Sequence, residues 1–310
     1  MSNPRAFTEL RWMALFLLTA TGLAFAPDAY LPMLARAFML QWCVGFICVS
    51  ALLIWSRRWW MAFTALFCAA LLAPQISAPE QAAFVTTDGT KLKVLHMNVL
   101  QPNSAFDAAI SGALKSGADV ISVQEVGPEW GEALRSGLCT TYPYVHIEPR
   151  TNCYGIALFS KRPFTRVGTI VVLGSPFIEA MIEVDGRPLR LLAVHATSPI
   201  SYAHFKRRNR QLDHLARYIA QSGTATLLVG DLNTVPWDSA FERFCIQAGL
   251  APTTGVDQRT WPSIGTLALI PLDHLLISRS ISTSSITTVH IPGSDHRGLL
   301  AEVNIASHAS

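Results

Sequence analysis

Apolar positions fall along this chain in two regimes. Before residue 80 they form long unbroken runs, 12–26, 33–55 and 59–73, inside which Arg36 is the only charged side chain. No run has a polar face, so a water-soluble helical bundle accounts for them poorly. The second run is long enough to cross a bilayer, which takes about 20 residues. The first and third reach that length when extended to about Leu31 and Ala78. Three transmembrane helices are therefore expected, about 11–29, 33–55 and 59–77. Beyond residue 90 the apolar runs shorten to strand length and alternate with amphipathic stretches.

Charge orients the first part. Arg5 and Arg11 precede the first run, Arg57 and Arg58 separate the second from the third, and residues 74–90 contain no Lys or Arg. Positive charge stays on the cytoplasmic side. The amino terminus and the Arg57-Arg58 loop then lie inside, and three crossings put the rest of the chain outside, as in an integral protein of a bacterial inner membrane. Trp12, Trp42, Trp55, Trp59 and Trp60 sit near run ends, as interfacial anchors do. Residues 5–26 also fit a signal peptide ending Ala24-Phe25-Ala26, although Pro27 opposes cleavage. From Pro74 the composition turns to Pro, Ala, Ser, Thr and Gln, a tether placed at about 79–90 ahead of a soluble domain at 91–310.

Inside that domain strands and helices take turns. Leu92–Val99 reads as a strand delivering Asn98. A helix capped by Asn103 or Ser104 follows, with Phe106, Ala109, Ile110, Ala113 and Leu114 on one face and Gly117 as its stop. The strand Asp119–Glu125 ends on Glu125. After a polar helix to about Gly137 come strand-like Tyr154–Ser160, then Val167–Leu173, Phe177–Val184 and Leu189–His195, with an Asp185-Gly186 turn between the last two. A helix runs from about Ser201 to Gln221. Next, Thr226–Val229 forms a strand that breaks at Gly230 and presents Asp231 and Asn233 on one side. Another helix, capped by Asp238 or Ser239 and stopped by Gly249, precedes the strands Pro271–Ile277 and Gly298–Val303. This order fits two sheets flanked by helices better than an alternating parallel sheet.

Chemistry-bearing groups gather at the strand ends: Asn98, Glu125, His195, Asp231, Asn233, Asp273, Asp295 and His296. Taken singly, an Asp after a strand is a turn former and a lone His is a surface or core residue. Their order resembles the endonuclease/exonuclease/phosphatase family, of which deoxyribonuclease I is a member: Asn, then Gln-Glu, then a strand His, then Gly-Asp-Leu-Asn, then Leu-Asp-His, then Ser-Asp-His. The resemblance covers about residues 91–304. It implies an α/β fold, a four-layer α/β/β/α sandwich with its site above the paired sheets. By the same resemblance Glu125 is the principal metal ligand, helped by Asn98, with Asp295 beside the metal. Asp231 and Asn233 hold the scissile phosphate and the attacking water. Asp273 orients His296, and His195 touches a phosphate oxygen or protonates the leaving group. Leu100 stands where some relatives carry a second acidic metal helper, which favours one-metal chemistry.

The residues agree with that chemistry on their own terms. Phosphate-ester hydrolysis needs positive charge on the phosphoryl oxygens, and a hard cation on Glu125 and Asp295 supplies it. Oxygen and imidazole donors favour Mg²⁺ or Mn²⁺ over a thiolate zinc site. Two side chains are candidates for the base: His296, made more basic by Asp273, is preferred, and Asp231 is the alternative if neighbouring carboxylates raise its pKa. Glu179, on the strand before the one bearing His195, is a candidate partner for that imidazole; an ordinary exposed strand glutamate is the other reading.

Composition narrows the substrate only slightly. Of the 24 basic residues, five arginines fall in residues 1–80 with Glu9, Asp28 and Glu80, which leaves 19 basic against 18 acidic residues beyond. A nearly neutral domain lacks the broad basic field of a strong nucleic-acid binder. Lys206, Arg207, Arg208 and Arg210 form one local basic run, read first as a solvated helix face and second as a grip on a polyanion or lipid phosphates. Cys139 and Cys153 are read as unpaired thiols, with a disulfide as the alternative. The expected partners are a phosphate-ester substrate, nucleic acid or lipid head group, and the membrane through residues 11–77, with no protein partner. The competing reading is a catalytically silent scaffold that keeps the fold.

Overall fold

The computed structural model describes residues 4–76 and 89–306. They fall into two compact units, an N-terminal helical one and a larger mixed one. Residues 79–88 of the expected tether lie outside the described residues.

In the N-terminal unit, α1 (Pro4–Phe25) and α2 (Tyr30–Ala37) are bent by 103° across a break. The break contains Pro27, which cannot donate the N–H that would continue a helix. The expected first helix therefore stops at Phe25, short of 29. The expected 33–55 helix is interrupted too: Phe38 (φ −98°, ψ 28°) separates α2 from α3 (Met39–Trp55). After Arg57, which takes a left-handed φ of 57°, α4 (Trp59–Leu72) continues into a 3₁₀ turn at Ala73–Ile76. Among the described residues, Trp59–Ile76 is the one helix of sufficient length and apolarity to cross a membrane, at 18 residues and mean hydropathy 1.5, and α1 with α2 passes only as a bent pair. Small side chains line the interior, Ala20, Cys43, Ala65, Cys68 and Ala69, which lets helix backbones approach. Large apolar ones point outward: Trp55 is 84% exposed and Trp60 78%.

The second unit runs β1 (Gly89–Asn98), α5 (Phe106–Ser116), β2 (Val120–Gln124), α6 (Pro128–Leu138), β3 (Tyr144–Glu148), β4 (Ile156–Ser160), β5 (Phe164–Val172), β6 (Ser175–Val184), β7 (Arg187–His195), α7 (Tyr202–Ala220), β8 (Ala225–Asp231), α8 (Ser239–Ala248), β9 (Ala251–Pro252), β10 (Trp261–Ile264), β11 (Leu267–Ile270), β12 (Asp273–Ile277), β13 (Ile281–His290) and β14 (Arg297–Ala306). One six-stranded sheet has the order β13-β14-β1-β2-β4-β3, the other β5-β6-β7-β8-β12-β9, and β10-β11 is a separate hairpin. Helix ends follow local chemistry: Gly117 closes α5 at φ 67°, and the Ser201 hydroxyl accepts the His204 N–H at the start of α7. Asn103 supports α5 from two positions further out than the N-cap Ala105, its Oδ1 accepting the N–H of that residue.

Strand alternation builds the layers. Leu92 and Val94 of β1 and Val120 of β2 meet Ile178, Leu191, Val229 and Leu275 of the other sheet in one core. The opposite face of the first sheet packs Leu95, Met97 and Ile121 against Ala109, Trp130 and Leu134 of α5 and α6. That of the second packs Leu192, Leu228 and Leu276 against Leu212, Phe241 and Phe244 of α7 and α8. The result is the expected helix–sheet–sheet–helix sandwich. The sequence pattern leaves β3, β9, the β10-β11 hairpin and β13 unmarked. In β13 the run Ser-Thr-Ser-Ser-Ile-Thr-Thr has few apolar positions, because an edge strand with one covered face needs few.

Candidate active site

Along the faces that meet between the sheets, side chains change from apolar to polar toward one end. In β1, Leu92 and Val94 give way to His96 and Asn98; in β7, Leu191 and Ala193 to His195; in β8, Leu227 and Val229 to Asp231; in antiparallel β12, Ile277 and Leu275 to Asp273. The register fixes the convergence, since Asp231 lies opposite both His195 and Asp273. The approach of β8 to β7 leaves no room for a side chain at Gly230, where a Cβ would overlap the Val194 carbonyl oxygen. Glu125 and Asn233 take left-handed φ values of 63° and 51°. That conformation costs about 1–2 kcal/mol for a residue with a side chain, and such strain clusters at functional positions.

Asn98 is the link across the site. Its Nδ2 donates to Glu125 Oε1 at 3.1 Å and to Asp231 Oδ2 at 3.2 Å, while its Oδ1 accepts the Leu100 N–H at 3.1 Å. The Gln101 N–H donates to Glu125 Oε2 at 3.1 Å. The Asp231 carboxylate accepts the Asn233 N–H at 2.8 Å and lies 3.8 Å from Nε2 of both His195 and His296. Asn233 is fixed from both ends: its Nδ2 donates to the Ala196 carbonyl at 3.0 Å, and its own carbonyl accepts from Arg208 Nη1 at 2.9 Å.

Asp273 sits between two imidazoles, with His96 Nε2 at 2.6 Å from Oδ1 and His296 Nδ1 at 2.8 Å from Oδ2. Ser294 ties this loop to β1, donating to the Asn98 carbonyl at 2.7 Å and accepting the His296 N–H at 3.0 Å. Asp295, half-buried, accepts from the Trp261 indole at 2.9 Å. Asp231, Asp273 and His296 present ligand-capable atoms within 4.8 Å of one another.

Protonation follows from these neighbours. Burial alone would lower the His296 pKa, but Asp273, by charge and hydrogen bond, together with Asp231 and Asp295, holds it up at about 10. Burial would raise Asp273, yet His296 and His96 hold it well below the usual carboxylate range. Asp231 is pushed up, first by burial and then by the Asp273 charge, against the pull of His296. Burial and the His296 charge push His195 down to about 3. At neutral pH His296 is thus an imidazolium and a donor and His195 a neutral imidazole, while Asp231 holds a proton more tightly than an ordinary carboxylate does.

All eight strand-end groups named from sequence lie at this end of the sandwich. Glu179 does not join them. It pairs in register with Leu192, on the helix-facing side of the sheet, and accepts from Arg166 at 2.7 Å and Tyr218 at 3.0 Å, with Arg190 at 3.8 Å. Sequence reasoning missed His96, although a spacing of two from Asn98 puts both on one face. It also missed Trp261, whose link to Asp295 spans 34 positions, and Tyr154, whose ring lies 5.6 Å from that of His195. The basic run divides: Lys206 and Arg210 are exposed, Arg207 is half-buried, and Arg208 is wholly buried. Cys139 and Cys153 are free thiols.

Residues 96–296 match the model of the endonuclease/exonuclease/phosphatase family. Solved structures share the fold at low identity. Danio rerio TDP2, complexed with a single-strand DNA product, aligns at 16% identity over 69% of this chain and 99% of its own, with a TM-score of 0.59. The endonuclease/exonuclease/phosphatase from Bacteroides vulgatus aligns at 14% over 70% and 99%, with a TM-score of 0.58. Sphingomyelinase C from Streptomyces griseocarneus aligns at 19% over 70% and 100%, with a TM-score of 0.53. No curated protein matches the chain by sequence.

Proposed function

The chain belongs to the endonuclease/exonuclease/phosphatase family, and from that premise we propose that it is a membrane-tethered, divalent-metal-dependent phosphoesterase. It hydrolyses a phosphodiester or phosphomonoester, of a nucleic acid or a lipid head group, by attack of water. One observation carries the reading: Asn98, His195, His296 and Asn233 converge on the single buried carboxylate of Asp231.

The donor set fits a hard cation such as Mg²⁺ or Mn²⁺. Glu125 and Asp231 are drawn together by one amide, and Asp231 is buried without a formal positive partner closer than 3.8 Å. Glu125 and Asn98, with Asp295 nearby, are the residues that would hold the ion. Asp273 is a poor ligand because both of its oxygens are already taken by imidazoles. When bound, the ion supplies Lewis-acid stabilisation of charge on the phosphoryl oxygens. Asp231 accepts the proton of the attacking water, aided by Asn233. The His296 imidazolium donates to a phosphoryl oxygen, and Asp273, held by His96, keeps it charged. His195 contributes a neutral N–H donor.

Membrane tethering through three crossings within residues 11–77, with the catalytic unit outside the cytoplasm, is supported by the outward apolar side chains of the first unit and by its arginine distribution. The test is the detergent-solubilised full chain, assayed with Mg²⁺ and Mn²⁺ on plasmid DNA, phosphoinositide, sphingomyelin and bis(p-nitrophenyl) phosphate. Hydrolysis of at least one is expected, falling by several orders of magnitude in Asp231→Ala and His296→Ala. A folded protein that hydrolyses none of them with either metal is a scaffold and not an enzyme.

A further inference from the structure

Arg207 stands on the second turn of α7, in the run whose first reading is a solvated face, yet it turns toward the site. Its guanidinium carbon lies 5.4 Å from the centroid of the Tyr154 ring, and that ring lies 5.6 Å from the His195 imidazole. A cation over an aromatic face is held in place by about 0.5–1 kcal/mol at an exposed site, and by more when desolvated. Arg207 is otherwise poorly satisfied. Nη2 reaches Ser175 Oγ at 3.4 Å, the limit of a hydrogen bond, and the buried Nε has no hydrogen-bond partner. No carboxylate forms an ion pair with it among the described residues. Shielded donors without partners are costly. Arg208, its neighbour, is by contrast bonded to the Asn233 carbonyl.

We propose that Arg207, seated on Tyr154 beside His195, is a subsite for a second phosphate, so that the substrate is a phosphodiester carrying another phosphoryl group next to the scissile one. The inference rests on the phosphoesterase reading and adds a substrate class to it. The scissile phosphate belongs to His195, His296 and Asn233. A guanidinium one aromatic ring away meets the neighbouring group, and its planar fork matches phosphate with two charge-assisted hydrogen bonds. Such an anion would supply the partner that Nε lacks.

The test uses the full chain in detergent with Mg²⁺ and two substrate pairs. The first is the p-nitrophenyl ester of thymidine 5′-phosphate with and without a 3′-phosphate. The second is glycerophosphoinositol with and without a ring phosphate. In one pair the second phosphate should lower KM about tenfold. Arg207→Gln should abolish that preference, Arg207→Lys should keep part of it, and Lys206→Gln should keep all of it. The pair that responds identifies a nucleotide or an inositol phosphate as the source. The proposal is overturned if neither pair shows a preference, if Arg207→Gln retains it, or if Lys206→Gln loses it equally, which marks a diffuse field. Bis(p-nitrophenyl) phosphate, which has no second phosphate, reports the phosphoesterase reading separately. If nothing is turned over, calorimetric binding of thymidine 3′,5′-bisphosphate still decides: about tenfold weakening in Arg207→Gln supports the subsite, and an unchanged Kd removes it.

Discussion

From inside α7, Arg208 donates to the backbone carbonyl of Asn233 over 2.9 Å, although its side chain is wholly buried. Asn233 is held there at φ 51° with its N–H on Asp231. The bond therefore links a helix residue to the turn that aims the site's central carboxylate. Arg208→Met should lower unfolding free energy by roughly 2–4 kcal/mol, since it leaves buried acceptors unpaired. It should also lower kcat/KM on bis(p-nitrophenyl) phosphate more than tenfold, as the turn relaxes. Urea unfolding with steady-state kinetics measures both. An unchanged midpoint would make the bond incidental.

How much of this was legible in the sequence depends on the range over which each feature is determined. Asn98 and Asp231 announce themselves because each ends an apolar strand, and Asp273 because it starts one; such ends at one edge of a sandwich converge. His96 was equally legible by its spacing of two from Asn98, and so was the exclusion of Glu179. The apolar alternation Ile178, Ala180, Ile182 and Leu189, Leu191, Ala193 puts His195 on the core face and Glu179 on the other. The break at Phe38 left no mark, as neither proline nor a polar residue stands there. Trp261 and Asp295 meet through a hairpin that the chain pattern does not encode. Arg208 reads as solvated within a basic run, whereas its burial goes with a tertiary acceptor, the Asn233 carbonyl.

Acid should loosen the second sheet's outer face before it reaches the carboxylates. His274 is buried, its Nε2 2.8 Å from the Thr234 carbonyl and its Nδ1 2.9 Å from the Thr254 hydroxyl, and burial pushes its pKa down to about 4. The unfolded chain takes up this proton near pH 6.5 and the folded one only near 4. Stability is therefore full above about 6.5 and is lost as pH falls through that window, by about 3 kcal/mol. His195, pushed down to about 3, adds a loss of the same sign. Chemical denaturation at a series of pH values should show the slope, and His274→Gln should flatten it. An equal slope in the variant would assign the acid loss to other groups.

Removing the cation should abolish turnover and lower thermal stability. A bound ion would relieve repulsion between Glu125 and Asp231, which Asn98 bridges. Chelation should silence the enzyme, with Mg²⁺ or Mn²⁺ restoring it. In wild type a metal concentration of 100 times Kd should stabilise the fold by about 2.7 kcal/mol. Glu125→Gln keeps the hydrogen-bonding shape and removes the charge, so its metal requirement should rise tenfold or more. Thermal melts with and without Mg²⁺ separate the two roles, because a Glu125 that only positions Asn98 would leave the metal-induced shift intact.

Asp273→Asn tests who carries the proton. With the carboxylate gone, burial dominates at His296, whose pKa should fall from about 10 toward or below the ordinary 6.5. The imidazolium is then populated only at acid pH. If His296 acts as a charged donor and Asp231 as the base, the variant's activity should decline as pH rises through the lowered pKa, while wild type holds its alkaline limb to about 10. If His296 is instead the base, the same variant should gain unprotonated imidazole at neutral pH, and its acid limb should move down. The two assignments thus shift opposite limbs of the kcat/KM profile. His96→Gln, which removes only one of the two imidazoles on Asp273, should leave the charged form of His296 in place and shift neither limb appreciably. A large shift in that variant would mean that His96, and not the carboxylate alone, sets the His296 charge.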